Sequence, residues 1–292
     1  MANFGPKDIK KLREMTDAGM MDCKQALAAT DGDMEKAVEW LRKKGLGAAA
    51  KKADKVAAEG VIAIKADGNK AIMLEINSQT DFVAKNEKFQ EFVKEVVEHV
   101  FANDFEDVDA INASEINGQP FSEYLALQIA TIGENLVVRR YAKIVSEGDI
   151  GTYVHANSKV GVIVASNASG VADELKNIAM HAAAMNPKYL NEEAVPADVI
   201  EKEKEIAREQ LIKEGKPEAI LEKILPGKIK RFMQDNTLEN QKFVMDDKVS
   251  VAQYLKNANK DAKLTDYVRF ELGEGIEKKE EDFAAEVAKQ MA

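Results

Sequence analysis

The chain has 292 residues, and its 51 acidic against 41 basic side chains give a formal charge of −10. That balance disfavours a general nucleic-acid surface, which needs clustered Lys and Arg to displace counterions, and favours solubility and a protein partner with a basic patch. The length predicts two or three compact units, and an apolar content of 45% with abundant Ala, Glu and Lys predicts a soluble, largely helical fold with a real core. Cys23 is the only cysteine, so neither an intrachain disulfide nor a thiolate metal cluster can form. The N-terminal stretch lacks the apolar core of a signal peptide, and no run approaches the roughly 20 apolar residues of a membrane span, so a cytoplasmic location without membrane contact is expected.

Residues 6–45 read as three short helices. Pro6 suits a helix start, and Ile9, Leu12 and Met15 mark its apolar face. Ala18-Gly19-Met20-Met21 forms a turn, and Asp22 is expected to cap a second helix carrying Ala26 and Leu27. After the turn Asp31-Gly32-Asp33, the residues Met34, Ala37, Val38 and Leu41 give a third helix. Gly19-Met20-Met21, Ala26-Leu27 and the spacing Gly32, Ala37, Leu41 resemble the ubiquitin-associated three-helix domain. The basic, alanine-rich stretch that follows reads as a solvated linker over residues 46–56, since its charge block is short for a nucleic-acid tail.

An internal repeat occupies most of the remainder. Gly60-Val61-Ile62-Ala63-Ile64 leads through Asp67-Gly68-Asn69 to a strand over residues 71–76, and then to a helix with Phe89, Phe92, Val93, Val96, Val97 and Val100 on one face. Gly151-Thr152-Tyr153-Val154-His155 leads through Asn157-Ser158 to a strand over residues 160–165, followed by a helix with Val171, Leu175, Ile178, Ala179 and Ala182. Strand-like runs at residues 136–141 and 267–272 each supply a third strand. The predicted fold class is α+β: the three-helix module at residues 1–45, two repeated antiparallel-sheet and helix subdomains at 57–142 and 143–275, a helical hairpin inserted at about 187–236, and a helical module at 276–292. Gly215-Lys216-Pro217 breaks the hairpin, whose charge density predicts that it projects into solvent.

Catalytic signatures are missing from the sequence. His99, His155 and His181 are far apart and in no metal-binding spacing, and no nucleophile elbow, Walker loop or complete dinucleotide fingerprint occurs. Gly273-Glu274-Gly275 reads as a strand end, and Cys23 as a small residue of a thin helical core.

The most informative stretch is Thr80-Asp81-Phe82-Val83-Ala84-Lys85-Asn86, between a strand and an amphipathic helix. Ser78-Gln79-Thr80-Asp81 fits a capping box, so a helix is predicted to begin there with Asp81 near its positive end. In a continuous helix Phe82 aligns with Phe89, Val93, Val96 and Val100 and belongs to the core. Lys85 and Asn86 interrupt that stripe, and a first turn detached from the helix presents Phe82 and Asp81 outward. The pattern alone leaves both readings open.

That stretch, together with Thr16-Asp17-Ala18-Gly19-Met20-Met21-Asp22-Cys23-Lys24-Gln25-Ala26-Leu27, the lead Gly133-Glu134-Asn135 and the run Arg269-Phe270-Glu271-Leu272-Gly273-Glu274-Gly275, closely resembles the bacterial elongation factor Ts family over essentially the whole chain. The resemblance implies a translation factor that promotes exchange of GDP for GTP on elongation factor Tu, binding it in GDP-bound and nucleotide-free forms. It implies no covalent chemistry and no cofactor or metal of its own, and thus no enzyme. By resemblance, Thr80, Asp81, Phe82 and Val83 dislodge magnesium from the partner's nucleotide site, with Phe82 wedged between helices of the GTPase domain. Met20, Met21 and the C-terminal helix near Phe283 grip the same domain, His155 contacts another, and the inserted hairpin serves dimerisation in some members, which makes a homodimer a further partner state. Two positions depart from the family's usual residues, Asp17 for a glycine and Ser78 for a cysteine. Capping of its own helix accounts for Asp81 equally well. The runner-up reading is a ubiquitin-associated-like protein-binding adaptor, which leaves the repeated α+β core without a purpose. An RNA-binding translation protein is opposed by the acidic total.

Overall fold

The computed structural model describes residues 3–16 and 18–277. Three helices come first, α1 (Pro6–Thr16), α2 (Met20–Ala29) and α3 (Met34–Ala50). Strands β1 (Glu59–Asp67) and β2 (Lys70–Ser78) precede α4 (Asp81–Ala84), α5 (Glu87–Ala102), α6 (Val108–Asn112), the two-residue strands β3 (Glu115–Ile116) and β4 (Gln119–Pro120), and α7 (Phe121–Ile132). Then follow β5 (Val137–Val145), β6 (Ile150–Val154), β7 (Val160–Ser166), α8 (Ala172–Met185), α9 (Ala197–Lys213), α10 (Glu218–Asn236), β8 (Lys242–Phe243), β9 (Asp246–Ser250), α11 (Val251–Ala258) and β10 (Leu264–Glu271). Helices combined with antiparallel sheets make the fold α+β.

The two principal sheets repeat one plan. Their orders are β1-β2-β5 and β6-β7-β10, so in each a hairpin takes its third strand on the side of its second. In the second sheet β7 is central and antiparallel to both neighbours, with Gly151 opposite Val164 and Arg269 opposite Val162. Contacts divide the described residues into two units: those up to Val61, Leu74–Tyr141 and residues 272–277 form one, and Ile62–Met73 with Ala142–Glu271 the other.

In the first unit, α1, α2 and α3 bury Leu12, Cys23, Ala26, Leu27, Ala37 and Leu41 around one small core, to which α7 adds Leu127. Asp33 caps α3, its carboxylate accepting the Lys36 N–H at 3.1 Å. Asp22, by contrast, lies inside the first turn of α2, where its carboxylate meets Lys44 at 2.7 Å, and the N-cap position is Gly19. The stretch that composition marks as linker is helical as far as Ala50, because α3 packs along α7: Gly45 is buried against Leu127, and Arg42 pairs with Glu123. Below this, α5 buries Phe89, Phe92, Val93, Val96, Val97 and Val100, and Phe92 stacks on Tyr124 of α7 with ring centroids 5.9 Å apart.

In the second unit, α8 lies on the β6-β7-β10 sheet and buries Leu175, Ile178, Ala179 and Ala182 with Val162, Val164, Phe243 and Leu255. The approach of α8 to β6 depends on Gly151, where an added Cβ would fall 2.3 Å from the carbonyl carbon and 2.5 Å from the Cβ of Leu175. Backbone cannot yield as a flexible side chain does. Gly151→Ala is therefore expected to destabilise by about 3 kcal/mol, read as a lowered urea midpoint. α9 and α10 pair as a helical hairpin with a core of its own, Ala207, Leu211, Leu221 and Leu225.

Candidate functional site

The last residues of β2 are buried through Asn77 and Ser78, and the chain surfaces at Gln79 and Thr80. Thr80 is extended (φ −121°, ψ 155°) and caps α4, its hydroxyl accepting the Val83 N–H at 3.3 Å. The cap is thus Thr80 and not Ser78, whose buried side chain instead donates to the Thr80 carbonyl at 3.0 Å. Asp81 sits in the first turn, where the helix dipole favours an acid, and receives Lys85 Nζ at 2.9 Å.

One turn later the helix stops. The Lys85 N–H bonds back to the Phe82 and Val83 carbonyls, and Asn86 is extended (φ −72°, ψ 138°) with its side chain accepting the Lys88 N–H at 2.9 Å, which starts α5 afresh. The polar pair Lys85-Asn86 is therefore a C-cap followed by an N-cap. Gln90 ties the two helices by donating to the Ala84 carbonyl at 2.6 Å. Because of this break, Phe82 is out of register with the buried stripe of α5 and is 81% exposed, while Ala84 turns inward. A phenylalanine left in water forgoes about 1.5–3 kcal/mol of burial, so the ring adds little to the packing of the described residues.

The turn is held from behind by the junction of α7 and β5. Gly133 ends α7 in the left-handed conformation (φ 90°), which a side chain would oppose. Next to it, Glu134 Oε2 accepts the Gln79 and Thr80 N–H groups at 3.0 Å each, and Oε1 accepts the Thr80 hydroxyl at 2.7 Å. The Asn135 N–H donates to Gln79 Oε1 at 2.9 Å, Asn135 Nδ2 donates to the Lys55 carbonyl at 2.8 Å, and Lys52 Nζ donates to the Gly133 carbonyl. Sequence reasoning reads Gly133-Glu134-Asn135 only as a strand lead. Its partners lie 54 to 81 residues away, and no local pattern announces them.

A second polar centre in the same unit also escapes the sequence. Glu75, in the middle of apolar β2, is fully buried. Arg139 Nη1 donates to both of its oxygens at 3.0 Å, Arg140 Nε donates to Oε2, and the Gly273 N–H and Asn77 Nδ2 donate to Oε1 at 2.8 and 3.1 Å. Burial raises the carboxyl pKa, but the bonds from Gly273, Arg140 and Asn77 outweigh it and hold the group below its ordinary value.

The remaining candidates are dispersed. Met20 and Met21 open α2 and are 58% and 64% exposed. His155 lies in the other unit, exposed at the end of β6, with Nδ1 2.9 Å from the Tyr153 hydroxyl. Phe283 lies outside the described residues. His181 is buried; its Nδ1 accepts the Val244 N–H at 3.1 Å, so Nε2 donates to Gln241 at 2.9 Å, and burial pushes its pKa down. His99 is lowered by burial too, with Nε2 2.8 Å from Ser114 Oγ. Cys23 is buried, which pushes its thiol pKa up. It is expected to be inert to a thiol reagent such as dithionitrobenzoate in the folded chain and to react fully in urea. Among the described residues no cluster of three or more His, Cys, Asp or Glu is placed to hold a metal, and no helix is long and apolar enough to cross a membrane.

The family model described as "Elongation factor TS" matches residues 79–274, from the residue before the Thr80 cap to the glycine-rich segment at Glu75. Among curated proteins, "Elongation factor Ts" of a Sulfurovum species is 50% identical, with all of both chains covered. "Elongation factor Ts" of a Nitratiruptor species is 54% identical over 97% of both, and that of Nautilia profundicola is 50% identical over all of both. With the turn, Glu134 and the whole β6-β7-β10 sheet inside the matched region, and with likeness of this degree running end to end, the chain belongs to the elongation factor Ts family of translation elongation factors.

Proposed function

We propose that this chain binds elongation factor Tu, in both its GDP-bound and nucleotide-free forms, and accelerates release of GDP so that GTP can replace it. One observation carries the reading: Phe82 is held 81% exposed on a turn cut out of the helix that would otherwise bury it. Such a ring is suited to entering a pocket of another protein, where its burial is worth about 1.5–3 kcal/mol toward opening that pocket. In this reading the segment Thr80-Asp81-Phe82-Val83 displaces the partner's magnesium, which removes the charge that neutralises the nucleotide's phosphates and so loosens GDP.

No covalent step is required of this chain. Its action is a coupling free energy, and reciprocity follows: the factor weakens nucleotide binding by the factor by which nucleotide weakens its own binding. Met20, Met21 and Phe283 serve as further contacts to the same partner domain and His155 to a second one. The α9–α10 hairpin serves as a dimerisation element, and the site of action is the cytoplasm.

The test is release of a fluorescent GDP from elongation factor Tu chased with excess GDP. The chain is expected to accelerate release, and added magnesium to oppose the acceleration. Unchanged release at saturating chain would refute the reading.

A further inference from the structure

We propose that Glu134 is the positioning residue of nucleotide release: it sets the turn that carries Phe82, and this role rests on the wedge reading of Phe82. Along a strand, successive N–H groups point to opposite sides. The N–H groups of Gln79 and Thr80 instead converge on one oxygen, Glu134 Oε2, at 3.0 Å each. That convergence forces the chain out of its extended course immediately after β2. An ionised carboxylate suits the place because it only accepts, and it offers a second oxygen for a third donor.

The third donor is the Thr80 hydroxyl, 2.7 Å from Oε1. Its single proton is committed to Glu134, which leaves its oxygen lone pairs turned to the Val83 N–H at 3.3 Å, the cap of α4. One side chain thus fixes both the end of β2 and the start of the four-residue helix on which Phe82 rides. Glu134 is itself fixed: Gly133 sets its direction, and Asn135 bonds to Gln79 on one side and to the Lys55 carbonyl on the other. A ring 81% exposed has little packing among the described residues to define its position, so its aim depends on this brace.

Two measurements test the role. Amide exchange of the isolated chain should show Gln79 and Thr80 protected in the native chain and exchanging about tenfold faster or more in Glu134→Ala, with the amides of α5 unchanged. Equal protection in the two chains would overturn the brace. In the release assay, Glu134→Ala should lower the maximal stimulated rate about tenfold while the half-saturating concentration stays within about twofold, since aim and not contact area is lost. Glu134→Gln, which keeps an acceptor for the two N–H groups, should fall between native and Ala.

The discriminating arm is the double substitution Phe82→Ala/Glu134→Ala, expected to be no slower than Phe82→Ala alone, because a positioning residue has nothing left to position. Additive losses would overturn the role. A Phe82→Ala chain that stimulates normally would overturn the wedge and the positioning role together, whereas slowed Phe82→Ala beside an unaffected Glu134→Ala would overturn the positioning role alone. Should Glu134→Ala fail to fold, Thr80→Val, which removes the hydroxyl that joins Glu134 to the cap of α4, is expected to give the same non-additivity with Phe82→Ala, and additivity there would overturn the role equally.

Discussion

Phe82→Ala is expected to slow stimulated release of GDP from elongation factor Tu by about one to two orders of magnitude, with its own fold unchanged. The size follows from the burial a phenylalanine gains in a pocket, about 1.5–3 kcal/mol, at about 1.4 kcal/mol per factor of ten. The unchanged fold follows from the ring's 81% exposure and from a turn whose hydrogen bonds involve the backbone of residues 79, 80, 82 and 83 and not the aromatic side chain. Thermal unfolding should therefore coincide with that of the native chain. A Phe82→Leu chain, which keeps most of the apolar volume, should recover part of the rate. If Phe82→Ala instead lowered stability by several kcal/mol, the ring would be serving this chain's own core and the proposed function would lose its main support.

The largest loss of stability is expected at Glu75. Removing one partner of a buried ion pair typically costs about 3–5 kcal/mol, because the charge left behind is uncompensated. Here Glu75→Gln would leave the Arg139 and Arg140 guanidiniums beside each other without their shared carboxylate. Trp40, the only tryptophan, lies in the same unit as Glu75, so its fluorescence in urea can follow the loss. The pH dependence has a definite sign. The folded-state carboxyl sits below its ordinary value of 4.5, so its contribution is complete above that pH and is lost as the pH falls through the folded-state value. The difference between native and Glu75→Gln chains should be widest near neutrality and narrow in acid. A gap that stays constant from neutral pH into acid would mean that packing, and not charge, explains Glu75. The segment at Gly273, whose N–H bonds to Glu75, should gain amide exchange in the same variant.

These two residues separate what a linear reading yields from what it does not. Helix faces are legible because their evidence is local: the apolar residues of α5 recur at helical spacing, and the structure buries all six of them. The doubled sheet is legible because a strand–turn–strand–helix pattern occurs twice, and the third strands fall where the apolar runs predict them. Cap positions are less so. Ser78 and Asp22 carry the side chains of capping residues, but Ser78 is buried at a strand end and Asp22 is drawn to Lys44. The extent of α3 escapes the linear reading for a related reason, since Gly45, which weakens an isolated helix, becomes a site of close packing once α7 lies alongside.

By itself the sequence determined the principal strands and helices of the two repeats, their likeness to each other and, through long ordered runs such as Thr80-Asp81-Phe82-Val83, the family. It also placed a polar break at Lys85-Asn86 but left Phe82 between core and surface. Only the tertiary structure decided that the ring faces water and that Glu134 holds its turn, and only there does Glu75 gain its partners. The physical reason is range. Periodicity and capping act within a few residues, whereas Glu134 meets Thr80 across 54 residues and Glu75 meets Gly273 across 198. Bonds between residues so far apart exist only after the core has brought their strands together.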